Sequence, residues 1–183
     1  MQTGLPDRVK LEFADATVVE IPLSLAKKLR TIYDQIEDVG AELPSPIPLV
    51  SREVFSYIER YSDIEDNIPP SFFFNNTQQR PDEIARFFSD IQASYLPPLD
   101  TETGLPKPRN TIVFEIILAA NYLNYNLPKL ESGKFQRNAL LQEACREIAL
   151  QIKGKAPDEL KKHFAIKSTF TPEQAAEMRK EFA

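Results

Sequence analysis

The chain has no tryptophan, and among its 183 residues it carries one cysteine, one histidine and five glycines. A single cysteine, Cys145, excludes an internal disulfide framework and agrees with a reducing compartment, so the expected localisation is cytoplasmic and nuclear. The glycines are scattered at Gly4, Gly40, Gly104, Gly133 and Gly154, which leaves no glycine-rich loop to cradle phosphate. The longest purely apolar run, Ile116 to Ala120, falls far short of the roughly 18 residues a bilayer helix needs, and the N-terminus lacks the basic-then-apolar order of a signal peptide. No membrane partner is expected. With one thiol and one imidazole there is little from which to build a nucleophilic or transition-metal centre. Cys145 shares a helical face with Leu141 and Ile148 and reads as a buried, inert thiol, while His163 lies among Lys161, Lys162 and Phe164 and reads as exposed. The acidic pairs Asp82–Glu83 and Asp158–Glu159 open helices, where carboxylates favour the helix dipole. No catalytic residue, cofactor or metal site is expected, and the chain does not read as an enzyme.

What the chain has in quantity is proline, acid and apolar surface. Many of its fifteen prolines fall between Leu43 and Pro108, which predicts a loop-rich stretch there. The net charge of −5 is uneven: residues 1–110 carry −7 and residues 111–183 carry +2. Neither part has the basic stripe that tracks a phosphate backbone, so nucleic acid is excluded as the expected partner and other proteins are favoured. At 42% apolar residues the chain can bury a real core.

Val9, Leu11 and Phe13 alternate with Lys10 and Glu12, and Val19 and Ile21 flank Glu20, which predicts two half-buried strands. The connection Ala14–Thr17 is expected to be looser than a two-residue turn, since Ala16 does not favour positive φ. Ser24 is placed to cap one helix carrying Leu25, Leu29, Ile32, Ile36 and Val39, with Gly40 to stop it. Residues 43–51 read as extended, with a short edge strand over Ile47–Val50. Ser51 caps a helix through Val54, Phe55, Ile58 and Tyr61 that ends near Ile64. Within the irregular stretch 65–110, Ile84, Phe87, Phe88, Ile91 and Tyr95 share one face of an island helix laid on the main domain, starting at Pro81; residues 97–108 read as a loop.

The organising stretch is Thr111 to Lys155. Ile112 to Leu123 is apolar nearly all round, as a helix buried on most sides must be, and Asn126, Leu127 and Pro128 are expected to end it. Asn138 to Lys153 places Leu141, Cys145, Ile148 and Ile152 on one face to bury. Two short helices follow, Pro157–Phe164 behind the poor cap Ala156, and one from Thr171–Pro172 almost to Ala183. Short helices bury little alone, so they are expected to pack on the preceding helix or on a partner.

The blocks FEIILAANYLN and CREIALQIKGKAPDELKKHFAIKSTFTPEQAAEMRKE resemble the Skp family, the F-box-binding adaptors of Skp, cullin and F-box ubiquitin ligases. Leu118–Leu123, Ile152–Lys155 and Phe170–Glu173 match the family pattern without change, and the opening Val9–Gly40 is similar to its first strands and helix. The resemblance implies an α/β, helix-rich fold: a BTB/POZ-like domain over residues 1–128, a small sheet wrapped by helices with the Pro/Phe-rich insertion 65–110, and appended F-box-binding helices over 129–183. It implies a cullin-binding pair at Asn121 and Tyr122, and F-box contacts at Ile148, Ile152, Lys153, Lys155, Phe164, Ile166, Phe170 and Pro172. The partners it implies are an F-box protein and a cullin, with the chain a monomer inside a hetero-complex. The sequence departs from the family pattern at Leu150 and Gln151, where the family has Asn-Met, at Ala156 in place of its capping threonine, and at Ser168 and Thr169. About eleven extra residues lie near 131–141, and the family's tryptophan-bearing tail has no counterpart here. Two alternatives stay open: an F-box-binding scaffold that works without cullin, and a self-associating BTB module.

Overall fold

The computed structural model describes residues 6–69, 80–102, 104–126 and 138–166. The two alternating segments form β1 (Arg8–Phe13) and β2 (Val18–Pro22), antiparallel, with Val9 opposite Ile21 and Leu11 opposite Val19. A third strand, β3 (Ser45–Ile47), lies parallel to β1 on its other edge, giving the order β2-β1-β3. It falls two residues earlier than the predicted edge strand, because Pro48 and Leu49 enter a turn closed by the Val50 amide on the Ile47 carbonyl. Period-two spacing puts Val9, Leu11, Phe13, Ile21 and Ile47 into the core.

The β1–β2 connection spans the four residues Ala14–Thr17. The Phe13 amide bonds the Thr17 carbonyl and the Ala16 amide bonds the Phe13 carbonyl. The turn is therefore loose, as expected, but Ala16 nevertheless sits at φ 61°. That left-handed conformation costs a non-glycine residue about 1–2 kcal/mol, offset here by the strand pairing on either side.

The helix predicted through Gly40 is two helices, α1 (Leu23–Lys28) and α2 (Arg30–Val39), broken at Leu29 with φ −97° and ψ 84°. Neither begins on a side-chain cap, so Ser24 does not play the role expected of it. Gly40, at φ 86°, does end α2. In α3 (Arg52–Asp66), Ser51 accepts the Val54 amide at 3.2 Å, satisfying one of the first-turn donors.

The remaining helices among the described residues are α4 (Asp82–Ser94), α5 (Thr111–Tyr122), α6 (Ala139–Ile152) and α7 (Pro157–His163). Far from lying on a finished domain, α4 is part of the core: Ile84, Phe87, Phe88 and Ile91 are buried, and it packs against α3, α5 and α6. Aromatic edges interlock there, Tyr61 against Phe87 and Tyr125, and Phe87 against Phe88. Sheet and helices share one continuous hydrophobic core that Ala139, Leu140 and Ala144 of α6 also enter.

Among the described residues, one ionic group buried in the core is centred on Lys28. The Lys28 ammonium donates to the Ser62 hydroxyl at 2.8 Å and its carbonyl at 3.3 Å, and pairs with Glu65 at 3.1 Å and Asp66 at 2.6 Å. The Tyr125 hydroxyl donates to the same Glu65 at 2.8 Å. Burial pushes the Glu65 carboxyl above its ordinary value, with Lys28 and Tyr125 pulling the other way. This group joins α1, α3 and the segment after α5.

Candidate partner-binding site

The C-terminal end of α5 is built differently from the sequence expectation. The helix ends before Asn126, the first of the residues expected to stop it, Leu127 and Pro128 lying outside the described residues; Asn124, in the left-handed region at φ 48°, closes it. Its amide bonds the Asn121 carbonyl, and the Tyr125 amide bonds the Ala120 carbonyl, the double closure of a Schellman motif. Asparagine accepts that conformation more readily than most residues, so the signal lay at Asn124.

The next carbonyls are held from across the molecule. Thr31 Oγ1 donates to the Tyr122 carbonyl at 2.9 Å, the Thr31 amide to Leu123 at 3.3 Å and the Arg30 amide to Asn124 at 3.2 Å. Every helix begins with amides and ends with carbonyls that lack partners within it. Here the unpaired amides of α2 meet the unpaired carbonyls of α5, positive dipole end to negative. This explains the break at Leu29, which forms a bridge with Tyr125 while the Lys28 carbonyl takes the Asn126 amide at 2.7 Å. An uninterrupted helix through residue 29 would have kept those amides for itself. On this end Asn121 is exposed and Tyr122 half-buried against the core.

α5 is not buried all round. Ile112, Val113, Ile116, Ala119 and Ala120 are inside, but Phe114 is 41% exposed and Leu118 69% exposed, a strip that continues to Asn121 at helical spacing. Its one acid, Glu115, is pushed above the ordinary glutamate value by burial and by Glu53. The sequence reading missed Phe114 and Leu118 as surface residues. A helix with apolar residues on every face gives no directional signal, so only its neighbours decide which side stays open.

The appended segment reaches this strip. Phe164 packs edge-on against Phe114, ring centroids 5.9 Å apart, and His163 is exposed with its ring against Phe164. The turn after α7 passes through Ala165 at φ 50°, with the Ile166 amide on the Lys161 carbonyl, and leaves Ile166 exposed. On α6, Ile148 is half-buried against the core and Ile152 is exposed; beyond its end Lys153 is exposed and Lys155 is half-buried with its ammonium on the Gln151 carbonyl. Phe170 and Pro172, and the helix expected from Thr171, lie outside the described residues. Leu118, Phe114, Phe164 and Ile166 thus give α5 and the segment after α7 exposed or half-exposed apolar surface, of the kind that marks a protein-binding site.

The face α6 buries is rotated from the expected one. Ala139, Leu140 and Ala144 point inward, and Cys145 is exposed, contrary to the buried thiol expected from its spacing. Polar side chains cause the rotation. Arg80, stacked 4.8 Å over Phe88, pairs with Glu143 at 3.0 Å and Glu147 at 2.6 Å. Gln92 donates to Glu147 at 3.2 Å, and Gln151 donates to Glu147 at 3.1 Å and to Gln92 at 2.7 Å. Burial raises the Glu147 carboxyl, but the bonds from Arg80, Gln151 and Gln92 outweigh it and hold it below its ordinary value. Gln151 Oε1 also lies 3.1 Å from His163 Nε2, so one of the positions that departs from the family pattern links α4, α6 and α7. Ala156 makes no side-chain cap, as expected; its amide donates instead to Glu159 at 3.0 Å. Among the described residues no His/Cys/Asp/Glu group is arranged to hold a metal ion, and no helix is long and apolar enough to cross a membrane.

Comparison with known proteins identifies similar sequences. Residues 138–183 match the model of the Skp1 family dimerisation domain. Over 95% of its length, and 91% of the relative's, the chain is 34% identical to an S-phase kinase-associated protein 1 homolog of Tetrahymena thermophila. It is 33% identical to the SCF ubiquitin ligase complex protein SKP1b of Dictyostelium discoideum, covering 94% of the chain and 92% of that protein. It is 29% identical to the E3 ubiquitin ligase complex SCF subunit sconC of Arthroderma benhamiae, covering 99% and 96%.

Proposed function

Because this chain belongs to the Skp1 family, we propose that it is a non-catalytic adaptor subunit of an SCF-type ubiquitin ligase, holding an F-box substrate receptor on one surface and a cullin on another. The observation that carries the reading is the open apolar face: Phe114 and Leu118 on α5, with Phe164 packed on Phe114 and Ile166 exposed two residues further on, in a chain that matches relatives named as SCF subunits over 94% or more of its length. The F-box is assigned to that face together with Ile148, Ile152, Lys153, Lys155, Phe170 and Pro172. The cullin is assigned to the Asn121–Tyr122 end of α5.

The work such a subunit does is geometric. Holding a bound substrate near the transfer machinery replaces a bimolecular encounter with an intramolecular one, and the gain depends on a rigid connection between the two surfaces. Support for that rigidity comes from the fold. α5 runs through the shared core, its far end is held by α2, and α6 and α7 are tied to α4 through Arg80, Glu147 and Gln151.

The test is recovery from native extract with the full chain as bait, comparing wild type with an Asn121→Asp, Tyr122→Ala double variant. The expected result is an F-box protein and a cullin with wild type, and the F-box protein alone with the variant. An F-box protein without cullin in both cases would replace the ligase adaptor with a cullin-independent scaffold, and recovery of neither would overturn both.

A further inference from the structure

The end of α5 assigned to cullin is not fixed by its own helix alone. The Asn126 amide, which in a continuing helix would bond the Tyr122 carbonyl, is turned away to the Lys28 carbonyl. The Tyr122 carbonyl is taken instead by the Thr31 hydroxyl at 2.9 Å, a side chain 91 positions earlier in the chain. The two bonds that follow, Thr31 amide to Leu123 and Arg30 amide to Asn124, are backbone bonds that any residue can supply. The hydroxyl bond is different: it depends on the identity of residue 31 and reaches the very residue whose side chain is offered to the partner. We propose that Thr31 is a positioning residue for cullin docking, its hydroxyl fixing the last turn of α5 so that Asn121 and Tyr122 meet the partner in one orientation; this rests on the assignment of that pair to cullin given above.

The hydroxyl supplies orientation rather than bulk stability. Thr31 is half-buried at the start of α2, where a threonine and a valine occupy the same shape and differ in the donor alone. Without the donor the Tyr122 carbonyl is left to water, and although the Leu123 and Asn124 carbonyls keep their backbone bonds, the Tyr122 peptide can tilt among several arrangements, one of which fits the partner. Binding then carries the cost of selecting that arrangement, and apparent affinity falls by the fraction of molecules holding it. The loss of one intramolecular hydrogen bond, net about 1 kcal/mol, corresponds to a fall of about fivefold.

The experiment measures affinity of the full chain for two immobilised probes, the cullin and the F-box protein recovered by the bait described above. The variants are Thr31→Val, Thr31→Ser, Thr31→Ala and the Asn121→Asp, Tyr122→Ala pair. Thr31→Val and Thr31→Ala are expected to bind cullin about fivefold more weakly, the factor for one lost bond. Thr31→Ser, which keeps the hydroxyl, should recover wild-type cullin binding, and F-box affinity should be unchanged in all three. Thr31→Val binding cullin like wild type, while the Asn121 and Tyr122 pair variant loses it, would overturn the positioning role and leave the cullin assignment standing. A pair variant that binds cullin normally would remove the assignment and the inference together. Equal weakening toward both probes, or failure of serine to rescue, would reduce Thr31 to ordinary packing. Thr31→Ala keeps the test open if valine disturbs folding at that position.

Discussion

Removing the Lys28 ammonium should expose how the core tolerates charge. In Lys28→Met, Ser62 and Asp66 lose a partner, but the Asp66 side chain is 63% exposed and can turn to water. Glu65 cannot, because its side chain is 2% exposed and its remaining contact is the Tyr125 hydroxyl at 2.8 Å. Breaking a buried pair by deleting one partner costs about 3–5 kcal/mol, most of it the penalty of the orphaned charge. For a chain of this size that corresponds to a fall in melting temperature of about 6–20 °C. The cost should depend on pH with a definite sign. Burial already holds the Glu65 pKa above its ordinary value, so the native state binds a proton that the unfolded state has released, and stability falls as pH rises through the window between the two values. Without Lys28 the window extends further upward. Urea denaturation should therefore show a larger deficit at pH 8 than at pH 5, changing by up to about 1.4 kcal/mol per pH unit while Glu65 titrates. The double variant Lys28→Met, Glu65→Gln should recover most of the loss, since a neutral amide still accepts from Tyr125. A deficit below about 1 kcal/mol, or one that does not vary with pH, would refute this account of Glu65.

Three further outcomes are expected. Ala16→Gly removes the left-handed strain of the β1–β2 loop and should raise stability by about 1 kcal/mol, read as a higher urea midpoint at unchanged slope. Glu147, held below its ordinary value in the folded state, contributes stability that is present above the unfolded value and lost as pH falls through the folded one; the gap between wild type and Glu147→Gln should therefore close on acidification. Leu118→Asp changes an exposed side chain, so thermal stability should stay within about 0.5 kcal/mol of wild type while F-box capture in the extract experiment is lost.

The parts of the fold that depend on neighbours in sequence were legible there. β1 and β2 follow from two-residue alternation, α3 from Ser51 and the spacing of Val54, Phe55, Ile58 and Tyr61, and α4 from its stripe of Ile84, Phe87, Phe88 and Ile91. Family membership was also readable, because the blocks around Leu118–Leu123 and Ile152–Lys155 survive unchanged in order and spacing. Asn121 and Ile152 were among the site candidates and are exposed, whereas Phe114 and Leu118 were hidden in an evenly apolar helix. Other features required the assembled molecule. Residues 23–39 carry one uninterrupted helical period, yet the chain breaks at Leu29, because amides released there satisfy carbonyls of Tyr125's neighbours almost a hundred residues later. Cys145 sits on an apolar-looking face but points outward, because Arg80 reaches from another segment to Glu143 and Glu147 and sets the rotation of α6. Local pattern determines which element forms, since helix periods, caps and strand alternation are properties of a few adjacent residues. Where an element stops and which face it turns to solvent depend on hydrogen bonds and ion pairs whose partners are distant in sequence, and those exist only once the chain has folded.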